Sequence, residues 1–203
     1  MADNARVRGH ALTNFIAIIA ATGGLLFGYD TGIISSALLQ LKTEFHLTTF
    51  SEQIVTGAII LGALLGCIGA APLSDKFGRR RTVMMAALLF LLGTLIVTFA
   101  HSVATLIGAR LVLGLAIGAA SQIVPIYIAE VSPPERRGML VVAFQLAVVL
   151  GITISFFAGY LLRNASWRWM FGLGFIPASI LSVSYTHLRA HETSALLAYA
   201  VFC

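Results

Sequence analysis

Between Arg8 and Lys42 the chain carries a single charged side chain, Asp30, in an otherwise apolar stretch over residues 12–41. A helix crossing the hydrocarbon of a bilayer needs roughly 20 apolar residues at 1.5 Å each. The stretch is long enough, and Asp30 then lies within the membrane. A carboxylate there costs about 2.5–3.5 kcal/mol on insertion scales, so it is kept for a reason. Phe27, Asp30 and Thr31 are spaced i, i+3, i+4 and fall on one side of a helix. Gly24, Gly28 and Gly32 recur every fourth residue and invite a second helix to close approach. The arrangement predicts an ionisable group beside an aromatic ring and a tight helix contact. It serves either a polar pathway with a proton-linked carboxylate, or a structural acid paired with a base elsewhere in the bundle.

Further apolar stretches follow at 54–73, 83–100, 104–129, 139–162 and 169–183, with a short polar tail over 1–11. The chain is 59% hydrophobic and 10% charged, with a mean hydropathy of +0.94. Soluble domains carry about 25% charge. These numbers predict an all-α, polytopic membrane protein with the lipid bilayer as its principal surroundings. The formal charge of +5 does not form a stripe, which argues against a nucleic-acid partner. The bases sit at segment ends and read as orientation. Arg6, Arg8, Lys76, Arg79, Arg80, Arg81, Arg136 and Arg137, eight in all, fall in alternate loops counted from the N-terminus, against three, Lys42, Arg163 and Arg168, in the others. The richer side is expected to be cytoplasmic, with the N-terminus inside and the chain in the inner membrane. The first apolar run is too long for a cleavable signal.

Little points to enzymatic chemistry. Cys67 and Cys203 are far apart and fit neither a disulfide framework nor a metal site. There is no phosphate-binding Gly-x-x-x-x-Gly-Lys loop and no Ser/His/Asp constellation, so the chain reads as neither an ATPase nor another enzyme, and no cofactor is expected. His10, His46 and His101 are scattered, and Gly114-x-x-x-Gly118 reads as helix packing. Asn164-Ala165-Ser166 fits a glycosylation acceptor only formally, so close to a predicted span.

The loops carry more specific patterns. Asp75-x-x-Gly78-Arg79-Arg80 joins the second and third spans, and resembles the signature loop of the major facilitator superfamily. Ala71 stands where that family usually has glycine. Pro125-x-Tyr127-x-x-Glu130-x-x-Pro133-x-x-x-Arg137-Gly138 is more specific. Together with Gly28-Tyr29-Asp30-Thr31-Gly32, Gly108-Ala109-Arg110-Leu111 and Trp167-Arg168-Trp169-Met170, in the same order, it closely resembles the sugar porter family.

That resemblance implies a fold of twelve helices in two six-helix bundles, with sugar bound between them. This chain would supply the N-terminal bundle, truncated in the sixth helix, and its missing partner would be the C-terminal bundle of the same transporter. The resemblance implies secondary transport of a monosaccharide or polyol by proton symport, with the proton as coupling ion. Phe27 and Gln145 match sugar-contacting positions. Asp30 and Arg110 match the proton-coupling acid and its basic partner. Asp75, Arg79, Arg80, Glu130 and Arg137 match a cytoplasmic gate. An amide suits a hydroxylated ligand because it donates and accepts without a charge to desolvate. Plainer roles stand beside these: helix packing for Phe27, a helix–helix hydrogen bond for Gln145, and solvated loop pairs for the gate residues. A passive facilitator, a non-transporting sensor and an inactive truncated piece are the competing functional readings.

From Ser184 the pattern breaks. Ser184-Tyr185-Thr186-His187-Leu188-Arg189-Ala190-His191-Glu192 sets charged and imidazole side chains where a sixth span needs apolar ones. Residues 183–203 resemble translated adapter sequence and are expected to be non-native, with a genuine cytoplasmic tail as the alternative.

Overall fold

Long apolar runs become long helices, and Pro72 and Pro125 sit inside two of them without ending them. The computed structural model describes residues 2–132, 134–175, 178 and 179, with 2–20, 80 and 131 described by their backbone alone. Six helices follow one another: α1 (Ala2–Glu44), α2 (Thr49–Phe77), α3 (Arg79–Thr98), α4 (Val103–Val131), α5 (Arg137–Leu161) and α6 (Trp167–Gly172). Helix starts follow side-chain chemistry. Thr48, Ser102 and Ser166 accept the backbone N–H of Ser51, Thr105 and Arg168 and so cap α2, α4 and α6. Between α2 and α3 the chain turns at Gly78, whose φ of 85° suits glycine and lets its N–H reach Ser74 O at 2.9 Å.

Two expected boundaries shift. The segment 1–11, expected as a tail, continues α1 from Ala2, since it holds no proline to stop a helix. The sixth span, expected over 169–183, begins earlier, at Trp167. Its regular part closes at Gly172, beyond which Leu173 N–H reaches Trp169 O at 3.0 Å and Ala178 N–H reaches Gly174 O at 3.3 Å. The expected non-native tail from 183 lies outside the described residues.

Glycine decides how the helices pair. In the α1–α5 seam, a Cβ added at Gly28 would meet the Val148 carbonyl, one at Gly24 the Phe144 carbonyl, one at Gly151 the Leu25 carbonyl. In the α2–α4 seam, Gly62 and Gly66 lie against Leu111 and Leu115, while Gly114 and Gly118 lie against Ile59 and Ala63. Where lipid is as apolar as leucine, helices associate through such close packing rather than through hydrophobic burial. α3 packs on α4, and α6 is wedged between α1 and α3.

Among the described residues, four helices are long and apolar enough to cross a membrane: Thr49–Phe77, Arg81–Thr98, Val103–Glu130 and Arg137–Leu161. Less than half of each is buried inside the bundle. Ile60, Leu61, Leu64 and Ile68 on α2 and Leu146, Leu150, Phe157 and Leu161 on α5 face outward. Continuous apolar surface of this extent has no place in water. The chain is a multi-pass, all-α membrane protein.

The seams generate a test. Gly28→Val and Gly114→Val are expected to cost about 1–3 kcal/mol or more by forcing backbones apart. Gly57→Ala, where an added Cβ meets nothing within 4 Å, is expected to be neutral or mildly stabilising. Thermal unfolding of the purified protein in detergent reads the difference.

Candidate functional site

Among the described residues, charged side chains pair at three levels of the apolar bundle, one at each end and one between. The middle layer is the smallest and the most buried. The core-facing side of α1 presents Leu26, Asp30, Ile33 and Ala37, while its glycine side lies on α5. Opposite Asp30, α4 presents Leu106, Ala109, Arg110 and Leu113. Arg110 Nη1 lies 3.4 Å from Asp30 Oδ2, with side chains only 1% and 6% exposed. Helix α6 closes the third side. The Phe171 ring lies under the guanidinium, 4.8 Å from Cζ to ring centre, and the Tyr29 hydroxyl donates to the Met170 carbonyl at 2.7 Å. Among the described residues, Arg110 Nε and Nη2 have no hydrogen-bond partner. An always-charged guanidinium deep in an apolar bundle is tolerable only beside an opposite charge.

The expected Phe27/Asp30/Thr31 face is graded. Asp30 is buried and Phe27 half-buried, while Thr31 is exposed and donates to its own helix at Phe27 O, 2.9 Å away. Phe27 also lines a small apolar cleft with Leu26, Ala87, Phe90, Ile117 and Phe144, in which Ser121 is the polar residue. Gln145 follows Phe144 on α5 but points outward and is exposed, so Phe27 and Gln145 do not share this cleft.

At the end bearing the α2–α3 and α4–α5 loops, Arg79 is the hub. Its Nη1 donates to Asp75 Oδ1 at 3.1 Å and to Ser74 Oγ at 2.7 Å, and its Nε reaches Glu130 Oε1 at 3.3 Å. Three of the five expected gate residues, Asp75, Arg79 and Glu130, thus converge. Arg137 does not join them. It donates through Nε to Ser132 O at 3.0 Å and closes the end of α4. The side chain of Arg80 lies outside those described.

The opposite end holds a network that the sequence reading passed over. Glu44 at the end of α1 accepts from Trp167 Nε1 and from Arg168 Nη1, the latter at 3.1 Å. Arg168 Nη2 also donates to Ala100 O at 3.2 Å, just past α3, and its guanidinium lies over the Trp167 ring. Gln40 Nε2 donates to the carbonyls of Arg163 and Ala165. Lys42 and Glu52 pair across the α1–α2 loop at 2.7 Å. The sequence signal for it is Trp167-Arg168 at a helix start, a family marker that does not by itself name Glu44 as the partner.

Comparison with known proteins bears on what this bundle is. The family model described as "Sugar (and other) transporter" matches residues 16–190. The chain belongs to this transporter family. It is 42% identical over 171 residues to a D-xylose transporter of Levilactobacillus brevis, covering 83% of this chain and 37% of the relative. It is 37% identical over 174 residues to the galactose-proton symporter of Escherichia coli K12, covering 85% of this chain and 38% of that one. The inward open structure of the xylose transporter XylE from E. coli superposes with a TM-score of 0.69 at 31% identity, over 86% of this chain and 47% of the solved chain. The six helices therefore match part of the larger twelve-helix major facilitator fold, and the chain spans less than two fifths of the length of these curated relatives.

The buried pair predicts an asymmetry. Removing Asp30 strands a charge that cannot be neutralised, whereas a carboxyl left alone can take a proton. Asp30→Leu is expected to cost about 3–5 kcal/mol of stability, Arg110→Met less, and the double substitution less than Asp30→Leu alone. Unfolding of the purified variants measures all three.

Proposed function

We propose that this chain forms the first bundle of a proton-coupled sugar transporter of the inner membrane, working by alternating access with its N-terminus in the cytoplasm. The carrying observation is the Asp30–Arg110 pair, an acid and a base sealed together, and the only buried charged side chains among the described residues. Support comes from the relatives, among them a galactose-proton symporter.

Sugar enters between this bundle and a second one, against Phe27 at the mouth of the apolar cleft and the outward amide of Gln145. The aromatic face covers the ring of the sugar, and the amide binds its hydroxyls. Asp30 takes the proton. With its carboxyl neutral, the attraction to Arg110 weakens, and α1 and α4 are freer to shift against each other. The two bundles then rock about the bound sugar. At the cytoplasmic end the Asp75–Arg79–Glu130 cluster holds the closed state and parts in the open one, and Arg80 and Arg137 are the further gate residues that the resemblance implies. At these exposures each pair is worth little for stability. Its value is in biasing one of two states that differ by a few kcal/mol.

The test is gradient-driven uptake by the full-length transporter in proteoliposomes. The unmodified protein is expected to accumulate sugar against its gradient when the interior is made alkaline. Asp30→Asn is expected to lose accumulation by about tenfold or more while still exchanging labelled for unlabelled sugar. Undiminished, gradient-driven accumulation by Asp30→Asn overturns the coupling role.

A further inference from the structure

Arg110 is held by fewer hydrogen bonds than its burial demands. A guanidinium offers five N–H donors. Here one nitrogen meets Asp30 at 3.4 Å, while Nε and Nη2 find no acceptor among the described residues. Good charge-assisted contacts are shorter, about 2.7–2.9 Å, and arginine usually meets a carboxylate with two of them. The carboxylate therefore grips the arginine loosely and from one side.

The second partner is the Phe171 ring, 4.8 Å from Cζ and itself 3% exposed. A cation over an aromatic face gains most when both are out of water. The ring is also held in place. Trp167 meets it edge-on at 6.1 Å, and Tyr29, the neighbour of Asp30 on α1, fixes the adjoining Met170 carbonyl. The ionisable groups that interact with one another here are Tyr29, Asp30 and Arg110, among the described residues. From α6, the Phe171 ring and the Met170 carbonyl face Arg110 and Tyr29, and neither is charged.

We propose that Phe171 is a positioning residue for the coupling pair: its ring face retains the Arg110 guanidinium when the Asp30 carboxylate is neutralised, keeping the arginine in the α1–α4–α6 core through both halves of the cycle. This rests on the reading of Asp30 as the proton carrier. It goes beyond the pair itself, because it gives Arg110 a partner that does not titrate.

Fluorinated phenylalanines at position 171 test it, since they drain the ring of negative charge and keep its shape. Thermal unfolding of the purified protein is measured in the unmodified and Asp30→Asn backgrounds. The midpoint is expected to fall stepwise with fluorine count, by about 2–4 °C across the series, and more steeply with Asp30→Asn. A flat series overturns the contact, and equal slopes overturn its dependence on the Asp30 charge. Should Asp30→Asn not fold, uptake by the full-length transporter decides. Phe171→Leu is expected to lower the maximal rate about tenfold with little change in KM, and Phe171→Trp to restore it. A Phe171→Leu rate equal to that of the unmodified protein overturns the proposal. Absence of proton-driven uptake in the unmodified protein is a separate result that counts against the proposed function, and the unfolding series still decides the role of Phe171.

Discussion

A buried charge pair constrains this bundle more than any other contact. Asp30 and Arg110 lie on different helices, 80 residues apart in sequence, and the arginine, always charged, cannot be left alone in an apolar interior. Their meeting fixes how α1 faces α4. Tyr29 and Phe171 then bind α6 to the same place. The glycine seams do the complementary work. They set α1 on α5 and α2 on α4 at backbone contact, so the α1–α4 face that carries the pair is bounded by two rigid helix pairs.

The two end layers differ in the same spirit. At one end Arg79 gathers two carboxylates within 3.3 Å and leaves both largely open to solvent. Such contacts add little stability but respond to a partner surface and to salt. At the other end Glu44 is engaged by both Trp167 and Arg168, and the latter also holds the carbonyl beyond α3. This ties α1, α3 and α6 together at their ends and seats the α6 turn that carries Phe171.

Much of the architecture was legible because membrane physics writes it in simple patterns. Apolar length announces a span, and glycines four apart announce a seam: Gly24, Gly28 and Gly32 do lie on α5. A lone acid and a lone base in two different apolar runs, Asp30 and Arg110, had few alternatives but each other. The remainder was less legible for equally physical reasons. Nothing in a polar run such as residues 2–11 says whether it continues a helix, because only a proline or a competing contact would stop it. The destination of Arg137 depends on which acceptor the α4–α5 turn brings near, and a backbone carbonyl leaves no trace in sequence. Glu44 meeting Trp167 joins the end of the first helix to the start of the sixth, a contact 123 residues apart that no local spacing encodes. The outward placement of Gln145 likewise follows from how α5 is rotated by its glycine side, Gly151 and Gly159 against α1, and not from the amide itself.

The central claim is that the sealed pair carries a proton with each sugar. The most direct measurement is the external pH of a lightly buffered, de-energised suspension of cells or vesicles bearing the full-length transporter, followed as sugar is added. A transient alkalinisation that depends on sugar and disappears with Asp30→Asn is the predicted result. Sugar entry with no movement of protons would contradict the account and make the Asp30–Arg110 pair a structural strut.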